Sequence, residues 1–217
     1  MLELSLIQKI AVAALPLLFA ITVHEVAHGW VAKRLGDSTA YMLGRLTLNP
    51  IKHIDPIGTI LVPLALLLMG GFIFGWAKPV PVTWQNLRNP KRDMALVALA
   101  GPMANLLMAL IWALVAKIGF TLGASLPMPA QMLVLMGLFG ITINVLLMVL
   151  NLLPILPLDG GRIVDSMLPG PLSYQFGRLE PYGFILLIAL LATGLLSTIL
   201  TTPTQLIETL IYSMFGL

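Results

Sequence analysis

Apolar residues run along this chain in blocks about as long as a bilayer is thick, separated by short polar stretches rich in proline, glycine and basic residues. The first block, Leu4 to Leu35, predicts a membrane span closing at Lys33-Arg34, with Gly36-Asp37-Ser38 as its stop. Thr39 to Leu48 mixes β-branched and aromatic residues with some alternation and is read as a short strand pair, ended by Asn49-Pro50. Ile57 to Phe74 is apolar but interrupted by Pro63 and Gly70-Gly71, so it either spans marginally or turns back. Trp76 to Asp93 reads as a polar loop with Pro79, Pro81 and Pro90. Met94 to Ile118 and Gln131 to Leu153 predict two further spans, joined by a loop over Gly119 to Ala130. Leu153 to Tyr182 is a proline-punctuated connection with a short helix expected near Arg162–Met167, and Gly183 to Leu200 reads as another span. Pro203 to Leu217 carries apolar residues at helical spacing, as an amphipathic interfacial helix or a short last span.

Basic residues then orient these segments. With loops 33–56, 76–93 and 154–182 on one side, that side holds Lys33, Arg34, Arg45, Lys52, Lys78, Arg88, Lys91, Arg92, Arg162 and Arg178, and only Lys9 and Lys117 lie opposite. The positive-inside rule makes the rich side cytoplasmic and favours re-entry of Ile57–Phe74 over a full crossing. The expected fold class is an all-α polytopic membrane protein: a bundle of about 4–6 membrane segments with a re-entrant segment and short β elements. It is read as a single domain over 1–217, with a core at 4–165 and C-terminal helices at 183–217.

Composition sharpens this picture. Of 217 residues, 59% are hydrophobic and 10% charged, and the mean hydropathy is +0.98, far from a soluble domain. The net charge of +3 sits in loops and does not suggest nucleic acid. The absence of cysteine excludes disulfides, thiolate metal sites and cysteine nucleophiles. The first block lacks a basic n-region and is too long for a signal peptide, so it is expected to be a retained span.

Within that first block lies His24-Glu25-Val26-Ala27-His28, an H-E-x-x-H motif. Ionisable groups inside an apolar span are costly and point to function. Residues four apart on a helix lie about 40° from each other, so His24 and His28 share a face and can grip one metal ion. Glu25 is placed to act as the general base of a zinc hydrolase. A catalytic zinc needs a third protein ligand, for which His53 and the acidic residues are the candidates. The best placed is Asp159, in Asn151-Leu152-Leu153-Pro154-Ile155-Leu156-Pro157-Leu158-Asp159-Gly160-Gly161. Pro154 and Pro157 prevent regular helix there, the glycines permit a sharp turn after Asp159, and the charge topology puts Asp159 at the depth of the histidines. Gly101, Asn105 and Asn144 are read as helix-packing residues, and His53 as an interfacial loop residue.

H-E-V-A-H, Ala100-Gly101-Pro102-Met103-Ala104-Asn105 and N-L-L-P-I-L-P-L-D-G-G together resemble the three signatures of the site-2 protease family, the intramembrane zinc metalloproteases. The resemblance covers roughly Thr22 to Arg162. The loop from Asn49 to Thr59 looks like the compact PDZ-less branch, and no segment here is long enough for a PDZ domain. The resemblance implies one Zn2+ held by His24, His28 and Asp159, with Glu25 as general base and Asn151 orienting substrate. It implies a zinc metalloendopeptidase in a bilayer, expected in a prokaryotic cell (inner) membrane with the active site towards the cytoplasm. Its partners would be transmembrane-helix protein substrates, cut in or near their spans. Such a substrate must unwind before hydrolysis, and Tyr41–Leu48 or Lys78–Thr83 is a candidate edge for pairing with it. The rival reading is a zinc transporter or channel with the same ligands, which would have no need of Glu25.

Overall fold

The computed structural model describes residues 5–61, 78–123 and 127–217. The protein is an integral membrane protein of all-α architecture. Among the described residues three helices are long and apolar enough to cross a membrane: α1 (Leu6–Arg34), α3 (Pro90–Leu122) and α4 (Pro127–Asn151). Between α1 and α3, among the described residues, come a single turn, α2 (Thr39–Met42), tight 3-10 turns at Pro50–His53 and Trp84–Asn86, and a wider π-helical turn at Pro56–Leu61. After α4 follow α5 (Asp159–Met167), α6 (Gly170–Gly177), α7 (Glu180–Ala192) and α8 (Leu195–Phe215).

Local chemistry sets the ends of the spans. Ser5 caps α1 through a reciprocal pair with Gln8, and Lys33 and Arg34 close its last turn, where cations oppose the helix dipole. Pro90 opens α3 at a position that needs no amide proton, and buried Asp93 accepts the Asn89 N–H at 2.8 Å. These caps start α3 about a turn before Met94, where the apolar run begins.

The core is the seam between α3 and α4. A Cβ on Gly137 would lie 2.5 Å from the Ala116 nitrogen, and one on Gly140 would lie 2.7 Å from Cδ1 of Trp112. Small residues let the two backbones approach, which is how helices associate where lipid removes the hydrophobic drive. Ala109, Trp112, Ala113, Ile141, Val145 and Met148 fill this seam, and Leu196, Leu200 and Ile211 of α8 close it. Outward, Leu107, Ile111, Leu114 and Ile118 of α3 are exposed. In water they would form an adhesive patch, whereas against acyl chains they cost nothing.

Three sequence expectations change. The short β elements proposed for Thr39–Leu48 are absent: no strand occurs among the described residues, because Ser38 to Met42 wind into a helical turn and Gly44 at φ 64° reverses the chain. The span read as Gly183–Leu200 is broken at Gly194, whose φ of 75° suits a residue without a side chain. The chain restarts at Leu195 as a 21-residue helix that carries Pro203 inside it, instead of beginning an element there. The re-entry proposed for Ile57–Phe74, and with it Trp76, falls largely on residues 62–77, outside the described residues.

Candidate metal centre

His24 and His28 face α3 from one side of α1, and a series of five side-chain hydrogen bonds assigns the proton on each ring to one nitrogen. His28 Nδ1 lies 2.7 Å from the Val97 carbonyl, an acceptor only, so Nδ1 is the donor. His24 Nδ1 meets Oδ1 of Asn105. The orientation of that amide follows from its other side, where Asn105 Nδ2 donates to the Ala20 carbonyl at 3.2 Å and to Asn144 Oδ1 at 3.0 Å. Asn144 is itself oriented by donating Nδ2 to the Gly140 carbonyl at 2.8 Å. The Val97, Ala20 and Gly140 carbonyls can only accept, and they anchor the series so that it has one self-consistent polarity. It leaves Nε2 of both histidines as lone pairs.

Those lone pairs point at one place. The two Nε2 atoms are 3.0 Å apart, and Asp159 brings Oδ2 to 3.2 Å from His24 and Oδ1 to 3.4 Å from His28. One ligand atom from each residue lies within 4.8 Å of the others, and Oδ2 of Asp159 is buried without a hydrogen-bond partner. Neutral imidazole lone pairs and a carboxylate converging out of water repel one another unless a cation sits among them. The donor set, two imidazoles and one carboxylate with an open position, is that of a catalytic zinc.

Asp159 reaches this place as the first residue of α5, behind Leu158 as N-cap, where the helix dipole favours a carboxylate. The glycines after it serve a different purpose from the expected turn. A Cβ on Gly160 would overlap the Leu152 carbonyl, and one on Gly161 would sit 2.5 Å from the Leu156 nitrogen. They let α5 fold back tightly on residues 152–158. Gly101 acts likewise: its Cβ would fall 2.5 Å from His28 Cε1 and 2.6 Å from His24 Cε1.

Of the other predicted site residues, Glu25 stands one position round α1 and accepts the Val80 N–H at 2.7 Å through Oε2. Asn151 ends α4 with its amide on the Leu147 carbonyl at 2.9 Å, and is not one of the three clustered side chains. His53 is buried against the Thr47 carbonyl at 2.9 Å and is not in the metal-ligating group. Asn105, read from sequence as a packing residue, is the partner of His24. A carboxamide in an apolar span three to four residues from a histidine-facing glycine was the available signal, but it fits helix packing equally well.

Neither proposed substrate edge is a regular strand: Tyr41 and Met42 at the start of Tyr41–Leu48 are helical, and along 78–83 the amides of Lys78, Val80 and Thr83 already bond to His53, Glu25 and Asp37.

Residues 12–134 match the family described as Peptidase family M50. The chain belongs to that family, the site-2 proteases. It is 41% identical over 186 residues to "Putative zinc metalloprotease YwhC" of Bacillus subtilis, covering 85% of this chain and 81% of the relative. It is 31% identical over 181 residues to "Putative zinc metalloprotease Rip2" of Mycolicibacterium smegmatis, covering 83% of this chain and 66% of that protein. No solved structure matches. The M50 protein is therefore a membrane metalloprotease with a zinc cofactor. The family match includes His24, Glu25, His28 and Asn105 and stops short of Asp159, whose place in the group rests on the geometry.

Proposed function

We propose that this protease hydrolyses peptide bonds in or near the transmembrane segments of membrane-protein substrates, as in regulated intramembrane proteolysis. The carrying observation is a buried His24–His28–Asp159 group set against the apolar spans α1 and α3, where a membrane-embedded peptide is the substrate that fits. In this reading His24, His28 and Asp159 hold the zinc ion. Zinc, when bound, supplies Lewis acidity towards water and the scissile carbonyl. Glu25 is the general base: Oε2 rests on the Val80 N–H, and Oε1 takes a proton from water and returns it to the leaving amine. Asn151, one loop before Asp159, orients the substrate backbone once it exchanges its bond to Leu147. The basic residues at the Lys33-Arg34 end support a cytoplasm-facing site, and the bacterial relatives support a prokaryotic cell membrane.

Glu25→Gln tests this. The variant should retain one zinc per chain, lose cleavage and trap a membrane protein that has a transmembrane helix. Cleavage at the wild-type rate refutes the assigned base and favours a transport role for the metal group. Trapping of soluble proteins alone refutes the substrate class.

A further inference from the structure

The segment Lys78–Thr83 passes α1 outside any helix, and its Val80 N–H donates to Oε2 of the proposed base Glu25 at 2.7 Å. Val80 lies between Pro79 and Pro81, which have no amide proton, so the donor offered to Glu25 across these positions has no competitor. Val80 is buried against Gly29, one turn along α1 from Glu25. A Cβ on Gly29 would lie 2.8 Å from Cγ1 of Val80 and would also strike Leu46. The helix is bare where the segment must approach.

Both ends of the segment are tied down. At the far end Asp37, 1% exposed, accepts the Thr83 N–H at 2.7 Å and Asn86 Nδ2 at 3.1 Å. The same carboxylate accepts the Thr39 N–H at 3.0 Å and the Thr39 hydroxyl. At the near end Arg45 Nη2 donates to the Lys78 carbonyl at 2.9 Å, and Lys78 N–H donates to the His53 carbonyl at 2.9 Å. These anchors are outside the His24–His28–Asp159 group. A buried carboxylate that gathers its bonds from a distant loop holds geometry more than it adds stability.

We propose that Lys78–Thr83 is a positioning strap for Glu25, with Asp37 and Arg45 as positioning residues that act through the Val80 amide. The strap selects which carboxylate oxygen is held and which faces the reacting water. It also gives a role to an amide on this edge: the Val80 N–H orients the enzyme's own base. The proposal rests on the reading of Glu25 as that base.

The test uses the full zinc-loaded chain in phosphatidylethanolamine–phosphatidylglycerol nanodiscs, with a single-span peptide reporter. Val80→Pro deletes the donor, Val80→Ala keeps it, and Asp37→Ala releases the far anchor. Val80→Pro should have a kcat about ten- to a hundredfold below that of Val80→Ala, with KM within about twofold and zinc content unchanged. Asp37→Ala should show the same split. Hydrogen exchange adds a readout independent of turnover: the Val80 amide should exchange at least about tenfold faster in Glu25→Ala and in Asp37→Ala. If Val80→Pro loses zinc through misfolding, Asp37→Ala and the exchange data decide. Equal kcat for Val80→Pro and Val80→Ala, or unchanged Val80 exchange in Glu25→Ala, overturns the strap while an inactive Glu25→Gln leaves the base in place. An active Glu25→Gln removes the base itself.

Discussion

Replacing Asn105 by alanine should weaken zinc binding although no proposed ligand is touched. Asn105 is fully buried and serves as acceptor for His24 Nδ1 and donor to Ala20 and Asn144. Alanine leaves the His24 ring free to rotate or to move its proton to Nε2, which places a proton where a lone pair is needed. Loss of such an outer partner typically costs tenfold to a hundredfold in metal affinity, about 1.4–2.8 kcal/mol. The effect on folding should be smaller, since an interhelical side-chain hydrogen bond in a membrane averages about 0.6 kcal/mol. Asn105→Asp separates the two effects: it keeps an acceptor for His24 and loses the donor to Asn144. Zinc affinity would be read by competition with a chromophoric chelator on purified protein, alongside thermal unfolding of the metal-free form. The expected order of affinity is wild type, then Asn105→Asp, then Asn105→Ala. Wild-type affinity in Asn105→Ala, with the fold intact, would show that the Asn105–Asn144 chain does not orient the ligand and would refute the reasoning.

Other outcomes follow from the same geometry. Gly101→Ala forces a methyl against both imidazoles and should abolish zinc retention even if the helices absorb about 1–3 kcal/mol of overpacking, which metal analysis of the folded variant checks. Asp159→Ala should release zinc while preserving the helical circular-dichroism spectrum; full zinc occupancy would leave Asp159 without its role. Chelation should inactivate the enzyme, and added zinc should restore it. Burial works against ionisation of Asp37, yet bonds from Thr39, Thr83 and Asn86 outweigh it and hold its carboxyl below the ordinary carboxylate value. Its stabilisation is therefore complete above about pH 4 and is lost as pH falls through the lower folded-state value. The gap in unfolding midpoint between wild type and Asp37→Asn should shrink on that acid side, and a gap that stays constant refutes the assignment.

The parts of this protein legible in its sequence are those whose physics is local. Hydropathy over about twenty residues reports burial in lipid, so α1, α3 and α4 are visible as apolar blocks. The spacing of His24 and His28 puts both on one helix face whatever surrounds them. Asp159 was reachable because prolines, glycines and charge topology limited its depth. The breaks and supports were not legible. Gly194 could have been one more small residue in an apolar run until the chain turned at it, and Thr39–Leu48 had strand-like composition but begins as a helical turn, with no strand among the described residues to pair with. Asn105, Val80 and Asp37 matter through neighbours 81, 55 and 46 residues away in the chain, to His24, Glu25 and Thr83. No propensity or period encodes such pairs. The sequence alone determined a membrane bundle carrying a histidine pair with a glutamate beside it. Only the packing of α3 and the 78–83 segment against α1, and of α5 against α3, decided which ring nitrogen of each histidine carries the proton, what joins the histidines in the candidate metal group, and what holds Glu25.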